Sequence, residues 1–304
     1  MLNRRILRIK VFKTIYSYAE NPGMTIKEAE AQLEESCEST RDLYLFLLSL
    51  VGPLTDEARN RIEAARSKFN PSEEEKNPNM KFVENGLASL LASDPDFSKI
   101  IKKKKFSWDQ YDVLLRHLYE AVRDRDYFKA YIGDPDRSIK QDAELWSDIF
   151  ANELQDNGEL AEILEDSSIF WNDDVEYALN YCCKTFDTLG KGGRWALPEL
   201  FNSDSKSSSA TKQSDRTFVV NVLRKAVANF DKYYQEVATR TPKWDKNRIC
   251  TSDLCLIVAG QAEAEAFKDT PKKVIINEYV EISKFYSTPE SKAFVNGLLD
   301  KIIN

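Results

Sequence analysis

Apolar residues recur every three or four positions almost wherever this chain can be read, and no stretch sustains the every-second-residue alternation of a half-buried strand. Val219, Val222, Leu223, Ala226 and Phe230 fall at i, i+3, i+4, i+7 and i+11, the face of one amphipathic helix. Residues 4–19 are apolar on several sides, as in a helix largely buried within a bundle. Thr25 and Glu28 have capping-box spacing, and Gly52-Pro53 is expected to stop the apolar run Leu43–Val51. A further apolar helix is expected after Asn247, through Leu254, Leu256, Ile257 and Val258. The two closing segments each open with Thr-Pro, which makes Thr270 and Thr288 N-cap candidates and sets Pro271 and Pro289 at the first helical position. In the last of them Phe294, Val295, Leu298, Leu299 and Ile302 form one narrow stripe. Only 10 Gly and 10 Pro are present, too few turns for a many-stranded sheet, so the expected fold class is all-α.

Two polar stretches divide the chain. "FNPSEEEKNPNMKF" (69–82) carries two Asn-Pro steps, and "NSDSKSSSATKQSD" (202–215) is Ser-rich, so both read as linkers. They separate segments 1–68, 83–201 and 215–304. The middle segment has no Lys or Arg between Lys140 and Lys184, yet it holds Glu144, Asp148, Glu153, Glu159, Glu165, Asp173 and Asp174. Such a block repels phosphate. Its Trp146, Phe150, Leu154, Ile163, Phe170 and Trp171 still give it a core, so it reads as a helical insert. The net charge of −7 excludes a protein coated in basic surface but leaves room for a local nucleic-acid site.

Little of the sequence has the spacing of catalysis or metal binding. Cys37, Cys182, Cys183, Cys250 and Cys255 include no CxxC, and with His117 as the single histidine no zinc set assembles; they read as buried free thiols of a reducing cytoplasm. "GKGGR" (190–194) lacks phosphate-loop spacing, and "IKKKKF" (101–106) reads as a solvated charged face. His117 reads as a helix-face residue, and no carboxylate pair or Ser/His/Asp set is singled out. No cofactor, metal or catalytic residue is expected, and the chain reads as a binding protein rather than an enzyme. The start shows no uncharged h-region, and "LYLFLLSLV" is too short to span a bilayer. A soluble cytoplasmic protein is expected.

The N-terminus carries the first positive signal. Arg4, Arg5 and Arg8 precede any acid and lie within about a third of a helix circumference. Guanidinium forks on one arc match phosphate contacts, while taken alone they equally fit a solvated basic turn. They stand at the end of a helix where its dipole disfavours cations.

"KVIINEYVEISKFYSTPESKAFVNGLLDKI" (273–302) resembles the C-terminal signature of the NusB family of bacterial transcription antitermination factors. The match includes Lys273, Val274, Ile276, Asn277, Glu278, Glu281 and Lys284, then Phe294, Val295, Asn296, Gly297, Leu299 and Asp300. "NRRILRIKVFKTIYSYAE" (3–20) resembles the family's opening arginine-rich helix, and residues 215–267 fit its remaining order. The resemblance implies two packed helical sub-bundles, here with 1–68 and 215–304 as the family parts and 83–201 as a large insertion.

It also implies binding of boxA-like single-stranded RNA in ribosomal-RNA transcripts, together with the ribosomal protein NusE and the transcription elongation complex. Carried over by position, Arg4, Arg5, Arg8 and Lys292 would meet the RNA, Phe294 would stack on an unpaired base, and Asp253 and Glu290 would face the protein partner. Leu254, Val258 and Ala262 stand where relatives often carry arginines or a tyrosine, and Ala293 replaces a commonly basic residue. The other reading open at this point is a protein-binding helical scaffold without RNA affinity. Asn277 and Asn296 read as helix caps or cross-links, with Gly297 permitting close helix packing.

Overall fold

The structure, a computed structural model, describes residues 1–202, 214–241 and 249–303. Its helices run α1 (Arg4–Glu20), α2 (Ile26–Leu48), α3 (Val51–Arg66), α4 (Glu73–Lys76), α5 (Gly86–Ser93), α6 (Pro95–Lys104), α7 (Asp112–Asp124) and α8 (Asp126–Gly133). They continue as α9 (Ile139–Ile149), with a π-helical turn at Phe150–Leu154, then α10 (Gly158–Ser167), α11 (Val175–Gly190), α12 (Asp215–Ala228), α13 (Phe230–Arg240), α14 (Thr251–Ala266), α15 (Lys272–Tyr286) and α16 (Ser291–Ile303). No strand occurs among the described residues, and none of these helices is long and apolar enough to cross a membrane. The fold is all-α.

The chain divides into two compact units, Met1–Glu38 with Glu199–Asn304, and Ser39–Pro198. Of the segments read from sequence, 39–68 falls in the second unit with 83–198. The 202–215 stretch lies largely outside the described residues, as do Trp244 and Asn247.

The first unit is built around α14. Every residue from Ser252 to Glu263 is buried, because α1, α12, α13, α15 and α16 all pack on it. Leu254, Val258 and Ala262 are therefore core positions, where an arginine would bury an unpaired charge. A Cβ at Gly260 would come within 2.8 Å of Leu299 and 3.2 Å of Tyr279, so this glycine admits α15 and α16. At Gly297 a Cβ would meet nothing within 4 Å. The glycine that permits close packing is Gly260, and Asn277 and Asn296 are exposed rather than cross-linking helices.

Local signals behave unevenly. The Thr25–Glu28 capping box forms, with the Thr25 amide donating to Glu28 Oε2 at 2.7 Å and the Glu28 amide to Thr25 Oγ1 at 3.3 Å. Gly52-Pro53 instead sits inside the first turn of α3, where proline's missing N–H costs nothing. The run Val219–Phe230 breaks at Asn229, whose side chain donates to the Lys225 carbonyl at 2.9 Å, so Phe230 opens α13. Pro271 and Pro289 precede their helices, whose first residues are Lys272 and Ser291.

The second unit has its own aromatic core. Phe46 stacks on Trp108 at 4.2 Å and on Trp171 at 5.3 Å, and Trp146 is fully buried with its indole N–H 3.2 Å from Asn85 Oδ1. The end of the 69–82 stretch belongs to that core, while residues 69–80 stay at the surface. Lys81 is buried and donates to the Tyr131 carbonyl at 2.6 Å, the Asp134 carbonyl at 2.9 Å and Gln141 Oε1 at 2.9 Å, and Phe82 joins the core. Of the acids in this unit, Asp142 accepts from the Gly86 amide and the Tyr131 hydroxyl, each at 2.7 Å, and Glu153 takes both arms of Arg125. His117 lies exposed on α7, 2.7 Å from Glu159. Among the cysteines, Cys37, Cys182 and Cys255 are buried as expected, but Cys183 is half-buried and Cys250 exposed.

Candidate nucleic-acid interface

The site residues expected from sequence all fall in the first unit. Its N-terminus is fastened by the Leu2 amide donating to the Leu200 carbonyl at 3.0 Å, with the Leu2 side chain fully buried. Asn3 then caps α1, its Oδ1 accepting from the Ile6 amide at 3.0 Å. This fixes the directions of the three arginines.

Each arginine meets an acid. Arg4 Nε lies 2.6 Å from Asp215 Oδ1, and its guanidinium covers the Phe218 ring at 4.2 Å. Arg5, with its side chain 55% exposed, forks onto Glu278 with contacts of 3.2 and 3.0 Å. Arg8 turns inward and grips Glu263 through Nε at 2.9 Å and Nη2 at 2.6 Å, with Nη1 3.5 Å from Glu278. The Tyr279 hydroxyl donates to the same Glu263 at 3.0 Å.

The electrostatics follow from this closure. Burial opposes the charge on Arg8, but the hydrogen bonds and charge of Glu263 outweigh it and raise the guanidinium above its ordinary pKa. Burial first, then Glu263, pushes the Tyr279 hydroxyl well up, so it remains a donor. The hydrogen bonds from Arg5 hold Glu278 below the usual carboxylate range against partial burial, with Arg8 adding to the effect. Arg8 is thus fully engaged inside the bundle. Arg4 and Arg5 keep their guanidinium groups near the surface.

The last helix begins on a hydroxyl cluster. Asp253, 5% exposed, accepts from Ser287 at 2.5 Å and Ser291 at 2.8 Å, and Ser252 lies 3.0 Å from Ser287. Asp253 is therefore an internal anchor for the α15–α16 turn and not an outward acid. Its burial within α14 was hidden in a sequence that shows only an acid in a helix's first turn. The turn it holds presents Glu290 and Lys292 exposed and Phe294 half-buried. Glu281 on α15 pairs with Lys284 at 2.6 Å. Its hydrogen bond from Lys284 holds the carboxyl below the ordinary range, and Lys292 and Arg5 add to that through their charges.

Glu263 and Tyr279 belong to the site without having been picked out from the sequence. Phe285, 82% exposed on α15, is a surface aromatic that was likewise not picked out from the sequence. Its signal was present: Val274, Glu278, Glu281 and Phe285 recur along one face of that helix. Among the described residues no group of His, Cys, Asp and Glu is arranged to hold a metal ion.

Fold and site together define an all-helical bundle closed by a buried arginine–glutamate pair, with an arginine-bearing first helix ion-paired to the helix before its last. The NusB family model matches residues 196–304. The chain belongs to the NusB family. It is similar to the protein named transcription antitermination protein NusB from Chloroherpeton thalassium, 32% identical over 130 residues, covering 43% of this chain and 56% of that one. The protein of that name from Methylacidiphilum infernorum is 35% identical over 95 residues, 31% of this chain and 66% of its own. That from Alkaliphilus oremlandii is 30% identical over 92 residues, 30% of this chain and 67% of its own. The chain thus spans less than two thirds of the length of the first of these relatives. No solved structure matches.

Proposed function

We propose that this protein is a transcription antitermination factor that binds boxA-like single-stranded RNA of ribosomal-RNA transcripts, together with the ribosomal protein NusE, and acts in the cytoplasm by assembly into the transcription elongation complex without making or breaking a bond. Family membership and the names of the relatives support this. The observation that carries it is Arg5. A half-exposed arginine side chain at the start of α1 presents a guanidinium that suits a phosphate backbone. Arg4 flanks it, Phe294 supplies an aromatic ring, and Arg8 fixes the helix that carries both arginines. Glu290 is the exposed acid available to a basic protein partner, with Asp253 holding the turn on which it rides.

The second reading, a helical scaffold without RNA affinity, is favoured by one observation: Arg4, Arg5 and Arg8 are each matched by an acid of the same unit. Anisotropy titration with a boxA-containing RNA separates the two. On the RNA reading, Arg4→Ala with Arg5→Ala weakens binding about tenfold and reduces its salt dependence, because fewer counterions are released. Phe294→Ala weakens it with little change of salt slope. Lys103→Ala with Lys104→Ala leaves it unchanged. Absence of binding by the unaltered protein leaves the scaffold.

A further inference from the structure

Singly exposed apolar residues are ordinary on protein surfaces. Phe285 differs in degree and in setting. Its ring is 82% exposed and stacks on no other ring among the described residues, while its neighbour Tyr286 is packed 5.5 Å from Phe12 and lies under the Lys13 ammonium at 5.3 Å. Arg5 opposite Glu278, and Phe12 and Lys13 opposite Tyr286, show that α1 and α15 run parallel and advance together. Tyr16, 40% exposed, lies on the same stripe of α1 as Arg5, eleven residues on. Phe285 follows Glu278 by seven residues, about 10 Å along α15 at 1.5 Å per residue. The helix pair therefore carries a guanidinium at one level and solvent-facing rings, with the Lys13 cation, further along. Cations followed by exposed rings are the equipment of single-strand binding, because every base offers a face for stacking.

We infer that Phe285 is a stacking platform for an unpaired RNA base, extending along the α1–α15 pair the contact that begins at Arg5, with Tyr16 at the same end. This rests on the RNA reading above. The ring gives up no packing within its own bundle to do so.

The test uses the full-length protein and a boxA-containing single-stranded RNA carrying 2-aminopurine at one position at a time. Stacking on Phe285 quenches or shifts the emission at one position on binding, and Phe285→Ala removes that change. The same substitution weakens binding about fivefold or more without altering the salt slope, since no counterion is involved. Phe285→Tyr restores both readouts and Phe285→Leu does not. Restoration by leucine overturns the inference, because apolar contact then suffices. So does unchanged RNA binding by Phe285→Ala, including the case where that variant instead abolishes self-association and marks an interface between copies. If Arg5→Ala and Phe294→Ala weaken binding while Phe285→Ala does not, this inference alone falls; if the unaltered protein binds no RNA, both fall.

Discussion

Arg8 and Glu263 stand 255 positions apart in the chain and form a two-pronged ion pair with the glutamate side chain fully buried. Such a pair is neutral to modestly useful when whole and costly when halved, because one buried charge then lacks its partner. Glu263→Ala should destabilise the first unit by about 3–5 kcal/mol. Replacing both residues, Arg8→Met with Glu263→Leu, should cost less than Glu263→Ala alone. Hydrogen exchange of α1 and α14 peptides resolves this unit from the other. Losses that simply add would show the two side chains to be independent.

Two glycines should respond in opposite ways to alanine. Gly260→Ala drives a methyl into Leu299 and Tyr279, an overpacking cost of about 1–3 kcal/mol that outweighs the gain in helix propensity. Gly297→Ala meets open space and should stabilise α16 by about 0.5–1 kcal/mol. Exchange rates of α14 and α16 amides in the two variants give the comparison. Destabilisation by Gly297→Ala would mean that its surroundings are closed.

Acid should loosen the junction of α1 with α15. Glu278 is depressed in the folded state by Arg5 and Arg8, so its contribution is complete above the unfolded carboxylate pKa of about 4.3 and is lost as pH falls through the lower folded value. Glu278→Gln removes that dependence. A chemical-shift titration of the Glu278 carboxyl should give a midpoint below that of a glutamate in a peptide, and a midpoint above it would contradict the pairing.

Asp253→Ala should loosen Ser287 and Ser291 and fray the start of α16, costing about 1–3 kcal/mol through the loss of two hydrogen bonds to a buried carboxylate. Limited proteolysis in the turn at residues 287–291 should accelerate. An unchanged cleavage rate would show that the hydroxyl cluster does not hold the turn.

The legible parts of this molecule are those written within a few residues. Periodicity is enough for an all-α reading, and Thr25 with Glu28 announces its own cap. The Thr-Pro steps mark the last two helix starts to within two residues. Long-range partnership is another matter. Arg4, Arg5 and Arg8 look alike in sequence, yet Asp215, Glu278 and Glu263 reach them from three different helices and bury only the third. The same limit applies to Asp253, which reads as a surface acid until the serines of a later turn close over it. Gly260 and Gly297 are indistinguishable without the side chains of α15 and α16. The 69–82 stretch reads as a linker because its polarity is local, whereas Lys81 is buried by carbonyl groups 50 and 53 residues away.

The acid opposite each arginine gives the proposed RNA contact a proton account. A phosphate that takes the Arg5 guanidinium must separate it from Glu278, and the released carboxylate loses the cation that holds its proton affinity down. Its proton affinity then rises toward the ordinary carboxylate range, so it takes up protons more readily than in the free protein. Phosphate and proton thus become cooperative ligands of one arginine–glutamate switch, each drawing the other in. Displacing a resident carboxylate also means that part of the neutralisation is exchanged within the protein. The salt slope should therefore understate the number of arginines that touch the RNA.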